Sequence, residues 1–478
     1  MEEFNLEEIK SKTTASVLFL SLRNIGIQFI AFFGFFLLTK YLKVSEIGLF
    51  GLVVEIIGIL AYFSDIGLAA ALIQQKEEVS IKELRTTFLI QQLLVFFGLI
   101  IFFLLNQNNF HQYPTLILAF CFSFICASLK TIPSVLLERK LNFKILSTID
   151  VVENLIFYIV AVIFAILGFG ITSYVYAVVI RSLIGLIWIY LASPWPIGFA
   201  FSLPSLKKLF RFGIPFQLNS FIAMLKDRVP NVLVYSIIGK ESFGLLTWAQ
   251  KGPRTPLSFM DAIQRITFPT FARMQDKKEI LTASIKKSIF FISLFIFPAL
   301  AGIALISPNI VHIIPKYLKW EPAIIPLYFY CLSFAIAAVT TPITNAFNAV
   351  GKITITTGLM IMWTALTWIF YPLLSKQYGY LGTSYAALIV GSSSIVVWII
   401  AKKIFNLNII QTIFHPLLAS ILMILFIIPL GSFIPDYLLN FIFKILFGSS
   451  FYILYLSIFC KKEINWFLKE LKCYLRKK

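Results

Sequence analysis

The chain has 478 residues, of which 59% are hydrophobic and only 13% charged, about half the ~25% charge of a soluble domain. That composition excludes a soluble globule and a disordered chain. Five cysteines exclude a disulfide scaffold, and no Cys or His spacing suits zinc. The 41 Lys and Arg against 22 Asp and Glu leave a formal net charge of +19, so the placement of the bases has to separate nucleic-acid binding from membrane topology.

The segment Met1–Lys12 is polar and holds four Glu, unlike the basic start of a cleavable signal. The first apolar run is therefore expected to remain as a span. A helix needs about 20 mostly apolar residues to cross the hydrocarbon core. Fourteen segments meet that measure: 14–39, 47–73, 87–106, 114–136, 148–168, 172–192, 213–238, 243–270, 288–307, 323–349, 353–374, 381–401, 411–432 and 437–460. Short connectors such as Phe169-Gly170 and Gly239 to Ser242 join them. The expected fold is an all-α integral membrane protein of about 14 transmembrane helices.

The bases test this count. With the N-terminus in the cytoplasm, one set of connections carries Lys10, Lys82, Arg139, Lys208, Lys277, Lys402 and others, twenty-six in all with the C-terminal run from Lys461 to Lys478. The opposite side carries six: Lys40, Lys43, Lys240, Lys316, Lys319 and Lys376. This alternation follows the positive-inside rule and places both termini in the cytoplasm. It removes the nucleic-acid reading, because the bases are spread over many edges rather than gathered in one stripe. Lys461 to Lys478 reads as a basic amphipathic helix lying on anionic lipid, with Ile464, Phe467, Leu468, Leu471 and Leu475 on one face. Ser205 to Phe212 reads as a shorter version and as a seam between two halves.

An internal repeat supports that division. Val44-Ser45-Glu46-Ile47-Gly48-Leu49-Phe50 at the start of span two corresponds to Lys240-Glu241-Ser242-Phe243-Gly244-Leu245-Leu246 at the start of span eight, at an offset of 196. The same offset places Asp65 on Asp261 and Glu55 on Lys251. Spans one to six (1–200) and seven to twelve (201–405) are then two pseudo-symmetric six-helix lobes of the same orientation, with 406–478 holding a C-terminal helix pair and the basic tail. Parallel repeats of this kind are a transporter architecture with substrate handled between the halves.

A charge inside the membrane costs a few kcal/mol unless it faces water or a partner, and nine bases fall in or near spans. In span eight Lys251, Arg254, Ser258, Asp261 and Arg265 follow spacings of 3, 4, 3 and 4, one continuous helix face, with Pro253 and Pro256 permitting a kink. Span seven adds Lys226-Asp227-Arg228, as cavity cations or as an internally paired triplet, and span one adds Arg23. These cations suit an anionic substrate such as a pyrophosphate, with Arg offering a bidentate fork. Lys130, Arg181 and Lys444 read as snorkelling or locally paired. Asp150 and Glu153 read as caps of span five or as functional acids, and Glu55 and Asp227 as counter-charges or ion-coupling groups. Asp65 and Asp261 read equally as ion or proton sites, or as helix ends paired with Arg. No phosphate-binding GxxxxGK[ST] loop exists, since Ala346 stands where Gly351-Lys352 would need the earlier Gly. His111, His312 and His415 are scattered, and no cofactor motif is present.

The stretch Ser64-Asp65-Ile66-Gly67-Leu68-Ala69-Ala70-Ala71-Leu72-Ile73-Gln74, the Val44 to Phe50 motif before it, and Leu137-Glu138-Arg139-Lys140-Leu141-Asn142-Phe143-Lys144 after span four resemble the polysaccharide transporter family. This is the family of Wzx-type O-antigen and colanic-acid flippases, in the multidrug/oligosaccharidyl-lipid/polysaccharide superfamily. The resemblance implies a V-shaped pair of six-helix lobes in the bacterial cytoplasmic membrane. It also implies alternating-access movement of an undecaprenyl-pyrophosphate-linked oligosaccharide, with Arg23, Lys251, Arg254 and Arg265 meeting the pyrophosphate. Proton or sodium coupling, a polymerase and glycosyltransferases fit the same picture. An ion-coupled multidrug exporter of the same superfamily is the alternative, disfavoured by the basic face of span eight. A membrane glycosyltransferase or polymerase would carry acidic motifs on a large outer loop, and Asn106 to Tyr113 and Pro308 to Pro322 are short.

Overall fold

A computed structural model describes residues 6–75, 77–105 and 113–461; the side chains of 6–22, 25, 105, 216, 218–220, 261, 262, 265 and 266 lie outside that description. The expected amphipathic tail is thus outside the described residues from 462 onward. Among the described residues there is no strand. In chain order the helices are α1 (Leu6–Tyr41), α2 (Val44–Asp65), α3 (Leu68–Gln74), α4 (Ile81–Leu105), α5 (Pro114–Leu129), α6 (Thr131–Arg139), α7 (Phe143–Ile166) and α8 (Thr172–Ala192). Then follow α9 (Leu203–Asp227), α10 (Val229–Arg254), α11 (Leu257–Arg273), α12 (Lys278–Ile313), a 3-10 helix (Pro315–Ala323), α13 (Ile324–Ala349), α14 (Ile353–Ser392), α15 (Ile395–Phe405), α16 (Ile409–Ser432) and α17 (Tyr437–Phe459).

Ten of the described segments are long and apolar enough to cross a membrane, which makes the chain a multi-pass membrane protein. Much apolar surface faces outward, as lipid permits and water does not: Phe96 and Ile453 are 59% and 62% exposed. Two of the long helices change direction where the sequence spacing places a connector. Gly239 in α10 (φ 79°) and Gly379 in α14 (φ 60°) hold left-handed backbone that a residue without a Cβ adopts at least cost.

The chain divides into two compact units, Met1–Gly244 and Leu245–Lys478. Unit one has a core of Leu68, Leu72, Phe88, Ile132 and Leu209, and unit two one of Ile285, Ile289, Ile343, Phe347 and Val397. Within unit one the two motif stretches that carry the family resemblance touch. The Arg139 guanidinium at the end of α6 donates to the carbonyls of Leu72 (2.6 Å), Gln75 (2.8 Å) and Glu77 (2.7 Å), and so supplies donors that the last turn of α3 lacks. The other end of α3 is capped by Asp65.

Three expectations change. Ser205 to Phe212 is not a separate interfacial helix; it is the first part of α9, which Ser202 caps by accepting from the Ser205 amide. Span two is not one straight helix, because α2 stops at Asp65 and Ile66 and Gly67 take left-handed conformations before α3 starts. Pro308 to Pro322 is not an open loop. α12 runs through Pro308 to Ile313, and the following 3-10 helix buries Trp320 completely, stacked on Trp248 at 5.8 Å.

Candidate functional site: charged side chains within the helices

Unit one places Arg23 and Arg228 against acids that no local spacing announced. Arg23 on α1 donates from Nη1 to Asp150 Oδ2 on α7 at 2.9 Å, and its other nitrogens reach Asn24 at 3.3 Å. Arg228, just past α9, lies 3.1 Å from Glu55 Oε2 on α2, and Asn231 donates to the second Glu55 oxygen at 3.0 Å. The guanidinium occupies the space that a Cβ on Gly58 would fill. Glu55 and Gly58 are three residues apart on one face of α2, so the acid binds the cation and the glycine gives it room. Lys226 pairs with its neighbour Asp227 at 3.3 Å, and Asp227 is largely exposed. The triplet is therefore divided: Lys226 and Asp227 pair internally, while Arg228 turns to Glu55.

Deeper in the same unit, Lys130 meets Glu153 at 2.5 Å, with Glu153 only 8% exposed at its side chain. Asp150 and Glu153 are not caps of span five, since α7 begins at Phe143, about two turns before Asp150; they are the partners of Arg23 and Lys130. Arg181 lies over the Phe157 ring at 5.4 Å, a cation–π contact. Sequence reasoning passed over Asn231 and Gly58. Their signal was slight: a polar residue and a glycine at helical spacing from in-span charges.

Asp65 ends α2 without Arg. Its Oδ1 accepts from the Ala69 amide at 3.0 Å and from Gln91 Nε2 at 2.9 Å, and among the described residues it has no salt bridge. The alternative of a helix end paired with Arg is thereby corrected: backbone N–H groups at the start of α3 do that work.

In unit two, Lys251 is partly buried and Arg254 exposed, near the end of α10. The helix bends just past them, at the place where Pro253 and Pro256 permit a kink. α10 stops at Arg254, and Thr255 and Pro256 separate it from α11, because a proline cannot supply the next helical N–H. Ser258, Asp261 and Arg265 belong to α11, and the side chains of Asp261 and Arg265 lie outside the described residues. Thr255 and Ser258 hydroxyls close the turn by bonding to the Lys251 and Thr255 carbonyls, at 3.0 and 2.8 Å.

An all-helical, multi-pass chain with charged pairs inside its helical units is a membrane protein of transporter type. The chain belongs to the family described as polysaccharide biosynthesis protein, whose sequence profile matches residues 37–325. It is 23% identical, over 98% of each chain, to a Klebsiella pneumoniae protein described as an uncharacterized membrane protein in the cps region. It is 26% identical to the lipopolysaccharide biosynthesis protein WzxC of Escherichia coli (strain K12), over 66% of each chain. Among solved structures it resembles the lipid II flippase MurJ in an inward closed conformation, with a TM-score of 0.77 at 17% identity over 94% of this chain and 100% of that one. At that identity the likeness is one of fold.

Proposed function

We propose that the protein is a flippase that moves an undecaprenyl-pyrophosphate-linked polysaccharide repeat unit to the periplasmic leaflet of the bacterial cytoplasmic membrane by alternating access. The observation that carries this reading is that a chain of this family holds Arg23, Lys251 and Arg254 on its apolar helices and Arg228 at the end of one, with Arg254 exposed and lacking a salt bridge among the described residues. A lipid-linked sugar cannot cross unaided, because its hydroxyls and phosphates would lose hydration in hydrocarbon. A polar cleft replaces that hydration while the polyprenyl tail stays in lipid, and rocking of two repeats changes the side to which the cleft opens. The cations supply charge-assisted donors for the pyrophosphate, with Arg265 as a further one. Glu55 and Asp150 act as internal counter-anions that hold Arg228 and Arg23 until phosphate takes their place, and Asp227 plays the same part for Lys226. Asp65 and Asp261 remain the candidates for ion coupling.

The topology in this reading has fourteen spans with both termini cytoplasmic. Ten described segments meet the apolar measure. The apolar part of α1, the second half of the segment broken at Gly379, and two spans built from α9 to α11 complete the count. The lobes are 1–200 and 201–405, with 406–478 appended, and a polymerase and glycosyltransferases act on the same lipid-linked unit.

Reconstitution tests the reading. Purified protein in liposomes should make a polyprenyl-pyrophosphate oligosaccharide placed in one leaflet accessible in the other. Folded protein that leaves the lipid where it was placed would count against a flippase.

A further inference from the structure

α12 contains two prolines, Pro298 and Pro308. A proline has no N–H, so Pro298 leaves the Leu294 carbonyl without its helical donor, and Pro308 does the same to Ala304. Inside a membrane protein such a carbonyl has to find another donor. Ala304 is served within its own helix by the Ser307 hydroxyl at 3.1 Å. Leu294 is served from another helix: the Tyr452 hydroxyl on α17 donates to it at 2.9 Å.

α17 grips α12 a second time about three turns away. Lys444 Nζ donates to the Leu305 carbonyl at 3.0 Å and to Asn309 Oδ1 at 2.7 Å. Asn309, 2% exposed, donates in turn to the Tyr437 carbonyl at 3.1 Å. Lys444, which the sequence reads as snorkelling or locally paired, thus ties two helices together. Along these attachments runs a cavity of about 520 Å³, lined among others by Phe295, Pro298, Gly302, Ile306, Ser449 and Tyr452. α12 is therefore weakened at Pro298 and bordered by this cavity on the face toward α17, where side-chain hydrogen bonds to its carbonyls hold it.

We propose that Tyr452 is a clamp on a proline hinge: the C-terminal helix α17 controls bending of α12 at Pro298 by supplying the hydrogen bond that the proline removes. The cavity gives the bend room, and the Lys444 attachment is the fixed end against which it turns. This assigns the appended helix pair a mechanical task, and it stands apart from what the protein carries.

The test is a pair of backgrounds, read by amide hydrogen exchange on the full chain in nanodiscs. Tyr452→Phe removes the donor and should speed exchange in the turns of α12 around Pro298 about tenfold. In a Pro298→Ala background the same change should have no effect there, because the restored N–H serves Leu294. Lys444→Met should speed exchange around Leu305 in both backgrounds. Equal acceleration by Tyr452→Phe in both backgrounds, or none in the first, overturns the clamp. If Tyr452→Phe alone gives no folded protein, recovery of folded protein in the double variant supports it, and continued loss overturns it.

Discussion

Gly48 and Gly244 touch backbone to backbone, and the contact is reciprocal. A Cβ on Gly48 would overlap the Lys240 carbonyl oxygen, and one on Gly244 would overlap the Val44 carbonyl oxygen. Val44 and Lys240 stand at the same offset of 196 as the two glycines, so positions equated by the internal repeat exchange roles across one interface. Small residues allow this approach in membranes, where packing rather than hydrophobic exclusion drives helix association. Gly48→Ala or Gly244→Ala should force α2 from the start of span eight, lower stability by about 1–3 kcal/mol and reduce export. Gly302→Ala, where a Cβ meets nothing within 4 Å, is the control. Thermal unfolding in detergent checks the ranking; equal behaviour of all three would contradict the contact.

The Arg228–Glu55 pair should tolerate exchange better than loss. Arg228→Ala removes the guanidinium from Glu55 while Asn231 stays bonded to it, and Glu55→Ala removes the carboxylate that the guanidinium meets. Each should reduce surface polysaccharide severalfold at normal protein level, and the exchanged pair Glu55→Arg with Arg228→Glu should recover part of it. Gly58→Ala should resemble Arg228→Ala, since its methyl takes the guanidinium's space. A Gly58→Ala protein with full export would show that the guanidinium's seat is unimportant.

Lys130 and Glu153 should behave as a structural pair. Breaking a buried pair by removing one partner costs about 3–5 kcal/mol, whereas replacing both with apolar side chains is often near neutral. Lys130→Met and Glu153→Leu should each lower the unfolding temperature sharply, and the double variant should regain most of it. A double variant as unstable as the sum of the two would remove the coupling.

Arg139 should not be replaceable by Lys. The fork reaches three carbonyls at once, which a single ammonium cannot match. Both Arg139→Lys and Arg139→Ala should increase protease cleavage between Leu72 and Ser80 in inside-out vesicles. Unchanged cleavage in Arg139→Ala would show that α3 holds without the guanidinium.

What could be read in the sequence followed from local rules. Hydropathy located most of the apolar segments, because a span must satisfy every backbone group within itself, but not their ends: 213–238 straddles the break between α9 and α10, and 288–307 covers only the middle of α12. The repeat brought Gly48 and Gly244 together on paper before they met in space. The pairs that decide the site were not legible, since Arg228 and Glu55 are 173 residues apart and only packing selects such a partner. The prolines in the run from Lys251 to Arg265 announced a kink, and a two-residue turn at Thr255 and Pro256 is found there. Asp65 reads in the sequence as an ion site or an Arg-paired helix end, and Arg139 as one of the cytoplasmic bases; in space they serve the two ends of α3.

The central claim, that cations within the helices carry the phosphates of a lipid-linked sugar, is tested most directly in cells that depend on this protein for surface polysaccharide. Arg254→Ala and Lys251→Ala should each insert at normal level, abolish surface polysaccharide, and leave the lipid-linked repeat unit accumulated in the cytoplasmic leaflet. Normal polysaccharide in both variants, with no accumulated lipid intermediate, would contradict the account.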